Sequence, residues 1–158
     1  MSVNGSSQAA LVALLPLVLG LPGLAAAHTA NGCAEIVLKG EYALTASGFT
    51  RVAGSPPGTP WVPKAILEIL HFNGDGTLTT PAVTLANPFG DTGAIVQPPV
   101  GAPGVYTVNA DCTGTVQFSD ANSVAYRIYV DPPRGETIRM IQTNPPDNVV
   151  QGIARRAW

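Results

Sequence analysis

The sequence predicts an all-β domain, an antiparallel up-and-down meander that closes into a small barrel of about eight strands. Gly occurs 17 times and Pro 15 times in 158 residues, which favours many turns and short elements. Short runs rich in Val, Ile, Thr and Tyr alternate with turn residues at close intervals, as in antiparallel barrels and sandwiches. After His28 no stretch of a dozen residues has the i, i+3, i+4, i+7 apolar spacing of an amphipathic helix.

The strands can be placed in order along the chain. We predict strands at residues 36–49 with a bulge at Gly40, 65–72, 77–85, weakly at 94–97, and at 105–110, 115–119, 124–130, 137–143 and 149–154. Residues 73–76 form a hairpin turn whose Asn and Gly accept positive φ, and two Pro-containing turns follow at 131–135 and 144–147. Short links imply a meander, and closure would leave an interior that is filled by side chains or holds one small ligand.

The first thirty residues have the features of a secretory signal peptide. From residue 9 to 27 the chain carries no charge, and Ala25 and Ala27 satisfy an A-x-A cleavage rule. Pro and Gly interrupt the run, which argues against a membrane anchor, because a spanning helix needs about 20 apolar residues. We therefore predict a signal peptide over residues 1–27 and one soluble barrel domain over 28–158, exported to the periplasm or the extracellular space.

The two cysteines, Cys33 and Cys112, are predicted to form a disulfide. Both lie beyond the predicted cleavage point, and paired thiols oxidise and persist in the compartment that an exported protein meets. The bond would tie the mature amino terminus to the middle of the sheet. Two alternatives stay open, namely free thiols in a cytosolic protein and a lipidated Cys33, although the residues before Cys33 lack the large apolar residue of a lipobox.

Charge and residue counts exclude several function classes. The net charge is −2, and the 8 Lys and Arg residues form no basic stripe that would neutralise phosphates. The chain has two histidines, His28 at the predicted cleavage point and His71, so a Ser-His-acid triad lacks a well-placed imidazole. Two His and two Cys in unrelated places do not form a zinc motif. We expect no metal, no cofactor and no nucleic acid partner.

Two long Pro-rich segments, residues 50–63 and 87–104, interrupt the strand pattern. Loops of this length in a compact domain are commonly functional. Phe49, Trp61 and Phe89 at their margins would then form the apolar mouth of a ligand site. The alternative is that these aromatic side chains cap the ends of the core.

The predicted strand 65–72 carries an acid, Glu68, and a base, His71. Residues three apart on a regular strand face opposite sides, so the two form an acid-base pair only if a bulge intervenes between them. The apolar pattern is the same on both faces and does not decide which residue points inward. An inward Glu68 would be a general acid or a ligand anchor, but we expect a surface carboxylate, because unpaired acids are seldom buried.

A second polar group is predicted on two neighbouring strands. Arg127 and Tyr129 lie on one strand and Arg139 on the next, so the three side chains would share one face of the sheet. This face would either contact an anionic group of a ligand or consist of ordinary surface packing. We expect the surface packing.

Three segments carry a resemblance to known proteins. Residues 104–115 read Gly-Val-Tyr-Thr-Val-Asn-Ala-Asp-Cys-Thr-Gly-Thr, residues 72–77 Phe-Asn-Gly-Asp-Gly-Thr and residues 151–156 Gln-Gly-Ile-Ala-Arg-Arg. Together they resemble a set of uncharacterised exported bacterial proteins that share a G-x-Y-T-V-N-x-D-C-T-G-T stretch. In architecture alone, the meander is similar to calycin-type barrels and to allene oxide cyclase-like barrels. These resemblances imply no activity and no catalytic residue, since fold does not imply function.

The sequence leads to three functional hypotheses. The first is a non-enzymatic exported barrel that binds a small, largely apolar molecule in its interior or at the mouth near Trp61. The second is an isomerase or cyclase in which an acid, Glu68, or a phenol, Tyr106, assists the reaction. The third is a structural or interaction module with a filled core. The oligomeric state is left open.

Overall fold

The fold is seen in a computed structural model, which describes residues 32–86, 95–96, 101–119 and 123–157. The predicted signal peptide and Phe89 lie outside these residues. A 3-10 helix, Glu35–Leu38, precedes the strands. The strands are β1 Lys39–Thr50, β2 Val62–Asn73, β3 Thr77–Ala86, β4 Ile95–Val96, β5 Ala102–Val108, β6 Thr113–Phe118, β7 Ala125–Val130, β8 Thr137–Asn144 and β9 Asn148–Arg156.

Eight of these strands close into an antiparallel barrel, which confirms the predicted fold class. The hydrogen-bonded order is β2-β1-β9-β8-β7-β6-β5-β3, and β3 pairs back with β2. The two-residue strand β4 adds to the end of β3. Because the sheet closes on itself, each of the eight barrel strands has a paired neighbour on both sides, which limits unwanted pairing.

The observed strands differ from the predicted ones mainly at the start of the domain. Residues 36–38 belong to the 3-10 helix rather than to β1. The β1–β2 register runs through Gly40 without a shift, so the bulge predicted there is absent. Register shifts occur instead in the β2–β3 pair between Ile69 and His71 and in the β7–β8 pair between Ala125 and Tyr126.

The two ends of the barrel are different. The hairpin end carries the short turns β2–β3, β5–β6 and β7–β8 together with the 3-10 helix. The loop end carries the link between β1 and β2, the link between β3 and β5, and the turns β6–β7 and β8–β9. The two long Pro-rich segments predicted from the sequence therefore leave from the same end of the barrel.

The 3-10 helix covers the hairpin end. Its last residue, Leu38, is fully buried. The Tyr106 hydroxyl donates to the Glu35 carbonyl at 2.8 Å, and the Arg156 guanidinium donates to the carbonyl oxygens of Val37 and Lys39 at 2.8 and 2.7 Å. These bonds satisfy carbonyl groups that a short helix leaves unpaired. The amino-terminal segment is thereby joined to the last strand.

Aromatic side chains fill the barrel beneath this helix. The rings of Tyr42, Phe72 and Tyr106 meet edge to face, with centroids 5.3 and 4.9 Å apart. Arg156 lies over the Tyr42 ring at 5.1 Å and donates to the Tyr42 hydroxyl at 2.7 Å. That hydroxyl donates in turn to the Gly135 carbonyl at 2.7 Å. The hairpin end is therefore sealed by packed rings and by satisfied polar groups.

Two hairpins at this end share one turn motif, Asn-x-Asp-x-Thr, at residues 73–77 and 109–113. In the first, Asp75 Oδ1 accepts hydrogen bonds from the backbone N–H and the hydroxyl of the threonine two residues later, at 3.0 and 2.7 Å. Asp111 makes the same pair of bonds, at 3.0 and 2.6 Å. These bonds from threonine lower the pKa of both carboxyl groups. The side chain thus closes each turn locally.

The fourth position of the motif has positive φ in both hairpins. Gly76 occupies it in the first hairpin with φ +89°, and Cys112 occupies it in the second with φ +67°. Cys112 is bonded to Cys33, with 5.0 Å between the Cα atoms, which confirms the predicted disulfide. Both cysteines are buried. The bond therefore anchors the start of the described domain to the β5–β6 hairpin.

The structure corrects the expectation that Glu68 lies on the surface. On β2, Ile66, Glu68, Leu70 and Phe72 are buried, whereas the Leu67 side chain between them is 57% exposed. Glu68 is only 8% exposed. The alternation of one strand cannot choose its own inner face, and closure with β1 and β3 makes that choice here.

We expect removal of the disulfide to lower the free energy of unfolding by roughly 4 kcal/mol, because the bond closes a loop of 79 residues. The variant pair C33A/C112G and C33A/C112A separates loop closure from backbone strain. The glycine variant should be about 1 kcal/mol more stable, since alanine is strained at positive φ. Urea unfolding measures both differences. Two free thiols in the unfolded, unreduced wild-type protein would contradict the bond.

Neighbouring substitutions on β2 test which face points inward. Glu68→Lys should lower the free energy of unfolding by about 3 kcal/mol or more, because it places an ammonium inside the barrel. Leu67→Lys, one residue away on the exposed face, should change it by less than about 1 kcal/mol. Equal effects in urea unfolding would show that the assigned orientation is incorrect.

Candidate functional site

Buried polar side chains inside the barrel lie away from the sealed hairpin end. They are Thr50, Glu68, Thr80 and Gln142, and we call the last three the polar layer. Thr50 is the last residue of β1, and Gln142 lies two residues before the end of β8, so both are close to the loop end. The rest of the core is apolar or aromatic, which makes this layer the chemically distinct part of the interior.

The strand register shows how the barrel is staggered. A single row of paired residues starts near the loop end of β2 and finishes at the last residue of β5, at the hairpin end. The row consists of Ile66, Ala46, Gly152, Met140, Ile128, Gly114 and Val108. A row of paired residues therefore moves along the barrel axis toward the hairpin end as it is followed from β2, through β1, to β5.

This stagger brings Gln142 and Glu68 to the same height on opposite walls. Gln142 lies two residues nearer the loop end than Met140, so its row reaches β2 at Lys64 rather than at Ile66. Neighbouring strands are about 4.8 Å apart and are tilted by roughly 35–45° from the barrel axis. A row of paired residues therefore rises along the axis by about one to one and a half residues at each strand. Three strand-to-strand steps separate β2 from β8, so Gln142 lies about three to four residues farther along the barrel axis, toward the hairpin end, than Lys64. On β2, Glu68 is the inward-facing residue at that distance from Lys64, so it lies at the same height as Gln142.

Gln142 has an acceptor atom without a protein partner. The residue is 7% exposed, and its Nε2 donates to the Asn144 carbonyl at 2.9 Å. This bond sets the orientation of the amide, because only the nitrogen can donate to a carbonyl. The other atom, Oε1, is buried and accepts no hydrogen bond from the residues that the structure describes. An unsatisfied buried acceptor of this kind typically costs about 1–3 kcal/mol.

Aromatic rings form the wall beside Gln142. Tyr126 is its partner in the β7–β8 register and is buried. The Tyr126 ring meets Phe118 edge to face, with centroids 6.4 Å apart. Glu68 also takes part in an interaction within the protein. The loop half of the interior thus combines apolar rings with a free carbonyl acceptor and a carboxyl group.

Trp61 lies at the loop end, where the sequence predicted the mouth. It is 40% exposed, and the Arg51 guanidinium lies over its ring at 4.8 Å. Arg51 is also paired with Asp147, with 2.7 Å between Nε and Oδ1. The charge of Arg51 is therefore balanced, and Trp61 is held in place by a cation–π contact.

Phe49 is also at the loop end, but it faces outward. It is 53% exposed and lines a groove of about 840 Å³ on the outer wall, together with Ile141 and Val149. Phe49 is paired in register with Pro63 and Val149. It thus belongs to the exterior of the barrel and not to its mouth.

Lys64 crosses the inner rim at the loop end. Its position on β2 places it on the same face as Ile66 and Glu68. Its Nζ donates to Asn148 Oδ1 on β9 at 2.9 Å, so the side chain passes over β1, where Gly48 is its register partner. Burial lowers the pKa of Lys64, because the ammonium group loses hydration.

The structure separates Tyr106 from the polar layer. Tyr106 is buried at the hairpin end, where its hydroxyl donates to Glu35. Burial raises the pKa of Tyr106. The two catalytic candidates from the sequence, the acid Glu68 or the phenol Tyr106, therefore lie in different parts of the barrel, and the phenol holds the 3-10 helix in place.

The predicted polar face lies on the outer wall. Arg127 and Tyr129 are both exposed, and Arg139 is exposed and paired with Asp131 at 3.3 Å. His71 also faces outward, with its Nδ1 3.8 Å from Glu41 Oε1. These residues do not contact the interior, in agreement with the surface packing that the sequence favoured.

Neither Gln142 nor Lys64 was singled out from the sequence. Gln142 lies in a strand that alternates regularly, and an inward glutamine resembles an outward one until the inner face is known. Lys64 falls between the predicted loop at residues 50–63 and the predicted strand at residues 65–72, so the sequence assigned it to neither. The signal that would have identified Gln142 is its position on β8. It is a polar residue on the inward face, between buried Met140 and the end of the strand.

Within residues 32–86, 95–96, 101–119 and 123–157, no three His, Cys, Asp or Glu side chains come together as metal ligands would. No helix in the same part of the chain has the length and apolar character needed to cross a membrane.

Comparison of the chain with protein-family models, with curated proteins and with solved structures finds no match. The likeness to exported bacterial proteins, and to calycin-type and allene oxide cyclase-like barrels, therefore stays a prediction from the sequence. The residues inside the loop half of the barrel are the basis on which a function can be argued.

Proposed function

We propose that this barrel binds a small, largely apolar molecule in its loop half, without converting it, and that it does so in an oxidising compartment outside the cytoplasm. The ligand would enter at the loop end, between Trp61 and Lys64. The sealed hairpin end, closed by the 3-10 helix and the ring cluster, would form the floor of the site.

Gln142 Oε1 is the observation that carries this proposal. A buried carbonyl without a donor destabilises the fold, and the cost is removed when a ligand supplies an N–H or O–H group. A protein that binds only apolar surface would have no use for an acceptor at this depth. The ligand therefore has an apolar body and at least one hydrogen-bond donor.

The wall around Gln142 suits the apolar body of such a ligand. Tyr126 and Phe118 present ring edges and faces there, and Ile66 and Met140 are buried on the neighbouring row. Sites for small molecules are typically concave and apolar with a few placed polar groups. The polar layer supplies those groups in the loop half.

The disulfide supports the location. Cys33 and Cys112 are both buried and bonded, and such bonds persist in oxidising compartments. The uncharged run at residues 9–27 is a further reason to propose export. Both features are independent of the ligand.

A neutral probe with a single N–H donor tests the proposal. N-phenyl-1-naphthylamine, which fluoresces in apolar surroundings, should bind the wild-type protein in a saturable manner. Gln142→Leu should weaken binding about tenfold, which corresponds to the loss of about 1.4 kcal/mol from one hydrogen bond. The same substitution should change the free energy of unfolding by less than about 1 kcal/mol, because it removes the unsatisfied carbonyl but also the bond from Nε2 to the Asn144 carbonyl.

Two controls make the result specific. Gln151→Leu changes an exposed glutamine on the outer face of β9 and should not affect binding. The ether 1-phenoxynaphthalene has a similar shape but no donor, so its displacement constant should be the same for wild type and Gln142→Leu. No saturable binding, or equal loss with the ether, would refute the proposal.

Burial of Glu68 favours a second candidate, an isomerase or cyclase in which this carboxyl group acts as a general acid or base. The two functions differ in the response to Glu68→Gln. In a binding protein, the Glu68→Gln variant should still bind the ligand, and the ligand should be recovered chemically unchanged. In an enzyme, wild type should return an altered molecule from a panel of apolar substrates, and Glu68→Gln should return it unchanged.

A further inference from the structure

We infer that the ligand of this site is an amphipathic anion, with a carboxylate held by Lys64 at the rim and a hydrogen-bond donor held by Gln142 about 10 Å deeper. This inference rests on the proposed function and names the chemical class of the ligand. It follows from the charges at the loop end and from the distance between the two polar positions along β2.

Lys64 is a cation without a counter-ion in the described part of the chain. Its ammonium group donates to the neutral amide of Asn148 at 2.9 Å, and burial is the cause of its lowered pKa. The neighbouring cation, Arg51, is already paired with Asp147. An ammonium group has three donors, so Lys64 retains hydrogen-bonding capacity for an anion.

The position of Lys64 relative to the polar layer sets the length of the ligand. Lys64 is four residues from Glu68, which is at the height of Gln142, and each strand residue rises about 3.3 Å. Along a strand tilted by roughly 40°, the two levels are about 10 Å apart on the barrel axis. An apolar chain of about eight carbon atoms spans that distance.

Glu68 determines which end of the ligand goes in first. A carboxylate beside the Glu68 carboxyl group, in the apolar interior, would meet a like charge or compete for its proton. A hydroxyl or N–H group has no such conflict and satisfies Gln142 Oε1. The anion therefore stays at the rim beside Lys64, and the donor points inward.

Burial of an unpaired ammonium group is costly unless an anion compensates it. Replacing Lys64 by a methionine of similar length should therefore leave the unliganded protein as stable or more stable. The lowered pKa has a defined consequence for the wild type. Between that pKa and the ordinary value of 10.5, the unfolded chain binds more protons, so stability rises with pH in this window.

Displacement of bound N-phenyl-1-naphthylamine distinguishes the ligand classes. We use 10-hydroxydecanoic acid, 1,10-decanediol and decanoic acid, all below the concentrations at which they aggregate. On the wild-type protein at pH 7.5, the hydroxy acid should bind about tenfold more tightly than the diol, which lacks the charge. It should also bind more tightly than decanoic acid, which lacks the inner donor.

Lys64→Met should abolish the preference for the hydroxy acid over the diol, because the methionine carries no charge to pair with the carboxylate. Gln142→Leu should abolish only the preference for the hydroxy acid over decanoic acid. Lys39→Met, at an exposed lysine of the hairpin end, is the matched control and should change neither preference. Binding of the hydroxy acid should weaken as the pH rises through the Lys64 pKa, since the neutral amine no longer pairs with the carboxylate.

The outcomes separate the two proposals. If the wild type does not bind the naphthylamine, the proposed function fails and this inference fails with it. If the naphthylamine binds but the acid and the diol compete equally, or if Lys64→Met keeps the preference, this inference alone is overturned. Because Lys64→Met is not expected to destabilise the fold, a lost preference cannot be attributed to unfolding.

Discussion

Closure of the sheet is the constraint on which the rest of this structure depends. The pairing of β2 with both β1 and β3 joins the first and last members of the strand order. Once the sheet is closed, each strand has one face in the interior and one in solvent. The inward faces of all the strands then belong to a single interior. The burial of Glu68 beside exposed Leu67 is a direct result.

Closure also requires staggered strands, and the stagger relates residues that are far apart in sequence. Glu68 and Gln142 are on strands separated by two others, and they reach the same height only because rows climb around the barrel. Small residues allow the close approach that this curvature needs. A side chain at Gly152 would come within 2.5 Å of the Ala46 Cβ, so this position of β9 accepts only glycine.

The two ends of the barrel differ in how fully their polar groups are paired. At the hairpin end, the Arg156 guanidinium and the hydroxyl groups of Tyr42 and Tyr106 all have partners. At the loop end, within the residues that the structure describes, Gln142 Oε1 accepts no hydrogen bond and Lys64 has no counter-ion. Buried polar groups without partners are expected at functional sites, where a ligand supplies the missing interactions. Here they coincide with the end from which the long loops leave.

The contacts at the hairpin end join parts of the chain that are far apart in sequence. The disulfide holds Cys33 against the β5–β6 hairpin, and Arg156 connects the 3-10 helix to the final strand. A polar layer that depends on the height of residues from several strands needs a barrel whose stagger does not change. Preorganisation of this kind lowers the cost of ordering a site when a ligand binds.

Local physics made several features predictable from the sequence. The short strands, the Asn-Gly-Asp-Gly turn and the abundance of Pro and Gly indicated an antiparallel meander, because turn chemistry and side-chain alternation depend on neighbouring residues. The pairing of Cys33 with Cys112 followed from their number and the predicted compartment. Trp61 was placed at the mouth because it borders a long Pro-rich segment.

Long-range packing decided the remainder. The alternation in β2 is equally apolar on both faces, so the sequence could not show that Glu68 points inward, and it favoured the surface. It also could not place Phe49 outside or Tyr106 at the sealed end, since these positions depend on register with other strands. Gln142 and Lys64 became candidates only when closure defined the interior. The sequence by itself determined the architecture through local turns and periodicity, whereas the tertiary structure decided the site, because the inner face and the height of each residue are properties of the closed barrel.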